Sequence, residues 1–444
     1  MIILNNFRNK LLYCLFILIW VCLIAGINVN TSHFFLKESP SIPDILYFSR
    51  LYVQIILFFI LIVFNLFFFK KIKFNFLFKS FILLNIVQII SLYYSKNSNL
   101  NIIFNIQTIN TLLFLNLFSY FFPKRFFDLL FILLTFLSLI FLYFYFEYFY
   151  FFFEKNYLFY GHYNSQPFIN IIHNPPRSSG MARLALVIFI SILFFLNTKD
   201  NKKLNLIILL PFSIAIFLFQ SRTILFIYFV IIFLLSFKLK FKLDNLVLNQ
   251  FKFNLINFIV IPFLFFLIIS SLQPKNLYQI LKKFNLSDKS MVAEKEFTGE
   301  YRIIRKNNPS SFSSHRFEDW KKIIHKNKKY YLGHGTMGDR FLINQTASNC
   351  IIYLYSSSGI IGIVLFFFLI YKTLNMIIIN KNYFQEQNNY NIKIIYSLYL
   401  FLIFILRSIL ENSFLIFGID QIIFFIAIYY LILEFNFKKT YQPQ

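Results

Sequence analysis

The residues best suited to chemistry in this chain are arginines, and three of them stand where a long apolar sequence has little reason to put a fixed positive charge. Arg222 sits in Gln220-Ser221-Arg222-Thr223, with almost no connection around it, between two apolar runs. Arg177 lies in His173-Asn174-Pro175-Pro176-Arg177-Ser178-Ser179-Gly180, where the prolines stiffen the approach and Gly180 permits a turn. Arg316 opens a stretch in which Phe317, Trp320 and Ile324 recur at helical spacing, with Glu318, Lys321 and Lys322 on the other faces. A guanidinium is a rigid fork of donors that fits a phosphate or carboxylate oxyanion, so the chemistry these positions suggest is recognition of an anion. Position alone leaves Arg222 open between a ligand role and an interfacial anchor, and Arg316 would on its own be a solvated surface residue.

Other chemistries find less support. No carboxylate pair has glycosidase spacing, and the 6 histidines lack metal-ligand spacing. Glu318 reads first as a charge near a helix N-terminus, Glu411 as the partner of Arg407, and His315 and His334 as solvated loop residues. The segment Gly333-His334-Gly335-Thr336-Met337-Gly338 follows no strand and lacks the Lys-Ser/Thr ending of a phosphate-binding loop, which argues against a nucleotide. The 3 cysteines, Cys14, Cys22 and Cys350, fall within or at the edge of apolar runs and offer no disulfide framework. A net charge of +25 would suggest nucleic acid in a soluble chain. Here the lysines and arginines lie between apolar runs that contain the aromatics, so nucleic acid is not expected as a partner.

Those runs must position the arginines, and 58% of the chain is apolar. A spanning helix takes roughly 20 apolar residues, and stretches such as Leu57 to Phe69 and Leu129 to Phe146 do not alternate as barrel strands would. The expected fold is therefore an all-α polytopic membrane protein with about 12 transmembrane helices. The runs are Leu11 to Val29, Ile45 to Phe69, Phe76 to Tyr94, Ile102 to Phe122, Leu129 to Phe146, Met181 to Leu196, Leu204 to Phe219, Thr223 to Phe237, Leu255 to Leu272, Cys350 to Ile370, Ile394 to Leu406 and Phe414 to Leu433. Numbering the connections alternately places most lysines on the side of the termini, which the positive-inside rule makes cytoplasmic. Residues 1–272 then hold nine spans and a smaller outward loop at about 147–180. Residues 273–349 form one large periplasmic loop, and residues 350–444 hold the last three spans and a cytoplasmic tail.

With the loop and the arginines placed, the chain resembles the O-antigen ligase and O-antigen polymerase superfamily of bacterial inner membranes. Gln220-Ser221-Arg222 before an apolar helix resembles that family's Ser-Arg motif. His315-Arg316 with Trp320, then Leu332-Gly333-His334-Gly335, is similar to its loop pattern of Arg, Trp and a glycine turn. Ala347-Ser348-Asn349 followed by Ser358-Gly359-Ile360-Ile361-Gly362 looks like its His-Asn motif and Gly-x-x-Gly helix, and Arg177 to Gly180 resembles a weaker element. The resemblance implies a glycosyltransferase without metal or cofactor. The donor it implies is a glycan on undecaprenyl diphosphate, and the acceptor is either another lipid-linked glycan, as in a polymerase, or a lipid A core, as in a ligase. It assigns the diphosphate to Arg222 and Arg316, with Arg177 as a weaker third. It gives Ser221, Trp320, Ser348 and Asn349 to substrate binding. Ser348 stands where ligases carry histidine. A serine cannot take the proton at neutral pH without a basic neighbour, so the base falls to His315 or His334, or a polymerase-like member relies on electrostatics. The competing class is a transporter of lipid-linked oligosaccharide.

Overall fold

The computed structural model describes residues 10, 14, 42–68, 74–95, 101–155, 178–196, 202–219, 221–236, 259–265, 316–328, 331–343, 346–380, 392–411 and 414–441. Among them there is helix and turn but no strand. The helices are α1 (Ile42–Phe67), α2 (Phe76–Ser95), α3 (Ile102–Phe121), α4 (Asp128–Lys155), α5 (Ser178–Leu196), α6 (Lys202–Leu218), α7 (Arg222–Ser236), α8 (Arg316–Asn327), α9 (Gly338–Ile343), α10 (Cys350–Ile379), α11 (Ile392–Ser408) and α12 (Ile419–Tyr441). A 3-10 turn at Pro123–Arg125 separates α3 from α4. Proline suits that position, because the first residue of a helical turn needs no N–H and its φ is already set.

Five helical stretches are long and apolar enough to cross a membrane: Phe76–Ser95, Ile102–Phe121, Pro123–Phe146, Cys350–Ile379 and Ile419–Asn436. Shorter apolar helices cover Val53–Phe67, Gly180–Phe194, Ile208–Leu218 and Arg222–Leu234. The described residues are thus all-helical, with several potential membrane-crossing helices. The first expected run lies outside the described residues apart from Cys14, and of the ninth only the helical residues 259–265 are described. The last begins later than its apolar pattern suggests, because Phe414–Gly418 is turn and α12 starts at Ile419.

The chain divides into two compact units, and the division falls inside α4. One comprises residues 1–133, 167–174 and 316–444 and so carries α1 to α3, the start of α4, and α8 to α12. Its helices interlock through aromatic rings, with Phe81 against Phe425 at 4.6 Å, Phe127 against Tyr430 at 4.8 Å and Phe414 stacked on Phe424 at 4.2 Å. Buried amides add directional contacts that apolar packing in lipid cannot supply. Asn110 donates to the backbone oxygen and to the side-chain oxygen of Gln54, each at 2.8 Å, and Thr108 donates to Gln421 Oε1 at 2.9 Å. These bonds tie α1 to α3 and α3 to α12. One side of α10 exposes Ile360, Ile361, Val364, Phe367, Phe368 and Tyr371, an apolar face suited to hydrocarbon.

The second unit comprises residues 134–166 and 175–315, carrying the rest of α4 with α5, α6 and α7. Rings again fill its interior. Phe141 packs on Phe212 at 5.4 Å and Phe189 meets Tyr228 edge-on at 5.3 Å. Pro211 lies inside α6, where it removes one backbone donor.

Candidate functional site

In the first unit, three segments far apart in sequence meet where α10 begins. Asn349 is the N-cap of α10: its extended backbone leaves the side-chain oxygen free to accept from Ile352 N–H at 3.0 Å. Its amide nitrogen donates to the Ile409 carbonyl at 2.7 Å, just past the end of α11. Arg316, the first residue of α8, reaches the next carbonyl, Leu410 O, at 3.4 Å. Trp320, one turn along α8, donates its indole N–H to Ala347 O at 2.5 Å, and Phe317 meets it edge-on at 5.0 Å. Arg316 and Trp320 from α8 and Ser348 and Asn349 before α10 therefore share one neighbourhood.

The Arg316 guanidinium is half-buried, and of its five N–H groups the Leu410 carbonyl can occupy only one or two. Ser348 holds a left-handed backbone at φ 50, which is uncommon outside glycine. That conformation turns the chain between Ala347, held by Trp320, and the cap at Asn349. The Ala347 N–H is held as well, donating to Asp339 Oδ2 at 2.7 Å. Burial raises the Asp339 pKa, while hydrogen bonds from Ala347 and Arg340 and the Arg340 charge pull it back.

Between α8 and α10, residues 331–338 form a turn seated against α2 and α10. The backbone of α10 leaves helical geometry at Gly359, with φ 61 and ψ −151. A break of this kind costs the first half of a helix its last acceptor pairings unless something else donates. His334 N–H donates to Ser356 O at 2.7 Å and Gly335 N–H to Ser357 O at 2.9 Å, so the turn supplies donors there. From α2, Ser91 donates to Leu332 O at 2.5 Å and Ser95 to His334 O at 3.1 Å. Thr336 donates to Asn105 Oδ1 of α3 at 2.8 Å, with Gln88 Oε1 a longer alternative at 3.3 Å. Two glycines make the close approach possible. A Cβ on Gly359 would lie 1.7 Å from Tyr331 O, and one on Gly333, itself at φ 76, 2.7 Å from backbone atoms of Ser357 and Ser358.

His334 is consequently not a solvated loop residue. It is 3% exposed, its ring lies 5.3 Å from that of Phe341, and burial lowers its pKa, which favours neutral imidazole. Arg222 opens α7 in the second unit and is exposed, while the carbonyl of half-buried Ser221 accepts from Leu225 N–H at 2.8 Å. Arg177 and His315 lie outside the described residues.

Sequence reasoning missed two groups. One is Asp339, which anchors Ala347. The other is a second carboxylate on Arg407: besides Glu411, bonded through Nε at 2.7 Å and also through Nη2, Asp420 accepts from Nη1 at 2.6 Å. The spacing of Arg407 and Glu411 on one helical turn signals their pair. Nothing local signals Asp420, which comes from α12. Among the described residues no group of three His, Cys, Asp or Glu could hold a metal.

Comparison with protein-family models, with curated proteins and with solved structures finds no match.

Proposed function

We propose that this protein is a membrane glycosyltransferase that moves a glycan from an undecaprenyl diphosphate carrier to an acceptor sugar hydroxyl on the periplasmic face of the bacterial inner membrane. The meeting of Arg316, Trp320, Ser348 and Asn349 at the start of α10 carries this reading. The sequence resemblance gives those residues to one site, and they come from segments that need not have met. In the proposed reaction the acceptor oxygen bonds to the anomeric carbon, and the bond from that carbon to the diphosphate oxygen breaks. The diphosphate leaves with the electron pair. Arg316 meets the charge that builds on it; a fixed guanidinium does so without reorganising during the reaction. Arg222 is assigned to the diphosphate as well, on the resemblance, with Arg177 secondary. Trp320 presents a flat apolar ring suited to a sugar face, and Asn349 orients a hydroxyl or phosphate.

The proton of the attacking hydroxyl has no acceptor at Ser348. His334, buried beside Phe341, is a poor candidate to receive it, which leaves His315 or the leaving diphosphate itself. A site that leans on electrostatics rather than a histidine favours polymerase over ligase. Purified protein given a polyprenyl diphosphate-linked glycan should lengthen it, and Arg316→Ala should abolish lengthening while the protein still inserts in membranes. Full activity of both Arg316→Ala and Arg222→Ala would refute the assignment.

The break in α10 favours a second reading, because discontinuous helices mark the substrate sites of many transporters. Protein that moves lipid-linked sugar across liposomes and forms no glycosidic bond would decide for transport.

A further inference from the structure

Arg407 carries a buried charge that the proposed reaction does not use. It is 2% exposed, near the end of α11, and is held between Glu411, one turn on, and Asp420, in the first turn of α12. A guanidinium so placed must be compensated by close carboxylates or hydrogen bonds, and two carboxylates from either side of a turn do more than compensate. They fix the ends of the connection between α11 and α12.

That connection presents the carbonyls of Ile409 and Leu410, which receive the Asn349 amide and the Arg316 guanidinium. The backbone there is itself gathered toward Arg407, whose carbonyl accepts from Leu410 N–H at 3.0 Å and Glu411 N–H at 2.9 Å. We propose that the Arg407–Glu411–Asp420 triad is a positioning device: it locks the residue 409–411 turn so that its two carbonyls aim Arg316 and Asn349. The three groups act through the turn. The role given to Arg316 rests on the transferase reading, but the clamp itself is a statement about geometry and can be tested without activity.

The test is cross-linking in native membranes, with Cys14→Ala and Cys22→Ala introduced and buried Cys350 retained. Arg316→Cys with Leu410→Cys reports the clamped turn, and Gln88→Cys with Ser357→Cys, 3.4 Å apart as native side chains, reports the docked turn elsewhere in the unit. Asp420→Asn leaves Arg407 and Glu411 as a neutral pair, the gentlest way to open the clamp. It should cut the 316–410 cross-link roughly tenfold, the population change expected for one charge-assisted hydrogen bond, while the 88–357 cross-link is kept. Asp420→Glu, which restores the charge, should recover part of the yield. An undiminished 316–410 cross-link in Asp420→Asn overturns the proposal, and so does equal loss in Asp420→Asn and Asp420→Glu with the control link intact. If Asp420→Asn lowers both links, Glu411→Gln decides by the same criteria. Failure of the transferase reading would show as parent protein that forms no glycosidic bond from a lipid-linked donor, a result independent of either cross-link.

Discussion

Gly359→Ala should release the residue 331–338 turn from its seat, and the size of the effect follows from the contacts it would sever. An alanine Cβ cannot sit 1.7 Å from Tyr331 O, and a backbone at φ 61 and ψ −151 is one that L side chains avoid. Either the turn lifts or α10 straightens, and each costs the same hydrogen bonds. In protein carrying Thr336→Cys, which already gives up the Thr336 hydroxyl bond to Asn105, four would go: His334 N–H to Ser356, Gly335 N–H to Ser357, Ser91 to Leu332 and Ser95 to His334. At about 1 kcal/mol each the loss is on the order of 4 kcal/mol, or roughly a thousandfold in the ratio of seated to released turn. Thr336, 2% exposed in the seated turn, offers the readout. In membranes carrying Thr336→Cys, a water-soluble maleimide should label slowly in the parent and much faster when Gly359→Ala is added. Gly418→Ala is the control, because a Cβ there would meet nothing closer than Ile416 O at 3.8 Å. Labelling within twofold of the parent would mean that the turn is not held by the break in α10.

Other consequences can be measured separately. Arg316→Ala should lower glycan transfer by about a hundredfold or more if the guanidinium meets charge formed in the transition state, while Arg316→Lys, which keeps the charge and loses the fork, should fall between; initial rates with a lipid-linked donor decide. Asn349→Ala removes the cap of α10 and should cost roughly 1 kcal/mol of thermal stability, seen as a lower Tm in detergent, with Asn349→Asp restoring the cap but not the bond to Ile409. The His334 pKa is held below its usual 6.5 by burial, so at lower pH the unfolded chain binds a proton that the folded chain refuses. Its contribution to stability is therefore full above pH 6.5 and declines as pH falls toward the depressed value. Asp339, raised above its usual 3.8, has the opposite slope, losing stability as pH rises through its folded value. A Tm profile between pH 7.5 and 5.5 should flatten in His334→Phe, and parallel profiles would exclude His334 as the titrating group.

Much of this was legible in the sequence. Runs such as Ile102 to Phe122 carry their own signal, since an apolar stretch of that length has one stable form in lipid, and α3 matches it within a residue. The amphipathic pattern from Arg316 likewise gave α8. The misreading of His334 has a physical cause: a polar, glycine-rich segment looks like solvated loop, and only its donors meeting the open carbonyls of a distant helix make burial favourable. The glycine at position 359 was visible as part of a Gly-x-x-Gly pair, but its backbone conformation was not. Asp420 was silent for a similar reason, being 13 residues from Arg407 across a turn.

The first unit is assembled from both ends of the chain, with the whole of the second unit translated in between. Ser91 must wait for Leu332, 241 residues later, and Asn105 for Thr336, 231 residues later. While the ribosome makes the intervening helices, α2 and α3 reside in the membrane with Gln88, Ser91 and Asn105 lacking their eventual neighbours. A chain stopped before α8 would carry that polar seam permanently exposed, the kind of defect by which membrane quality control recognises an unfinished protein, so truncations in this region should be degraded rather than accumulate as a partial bundle.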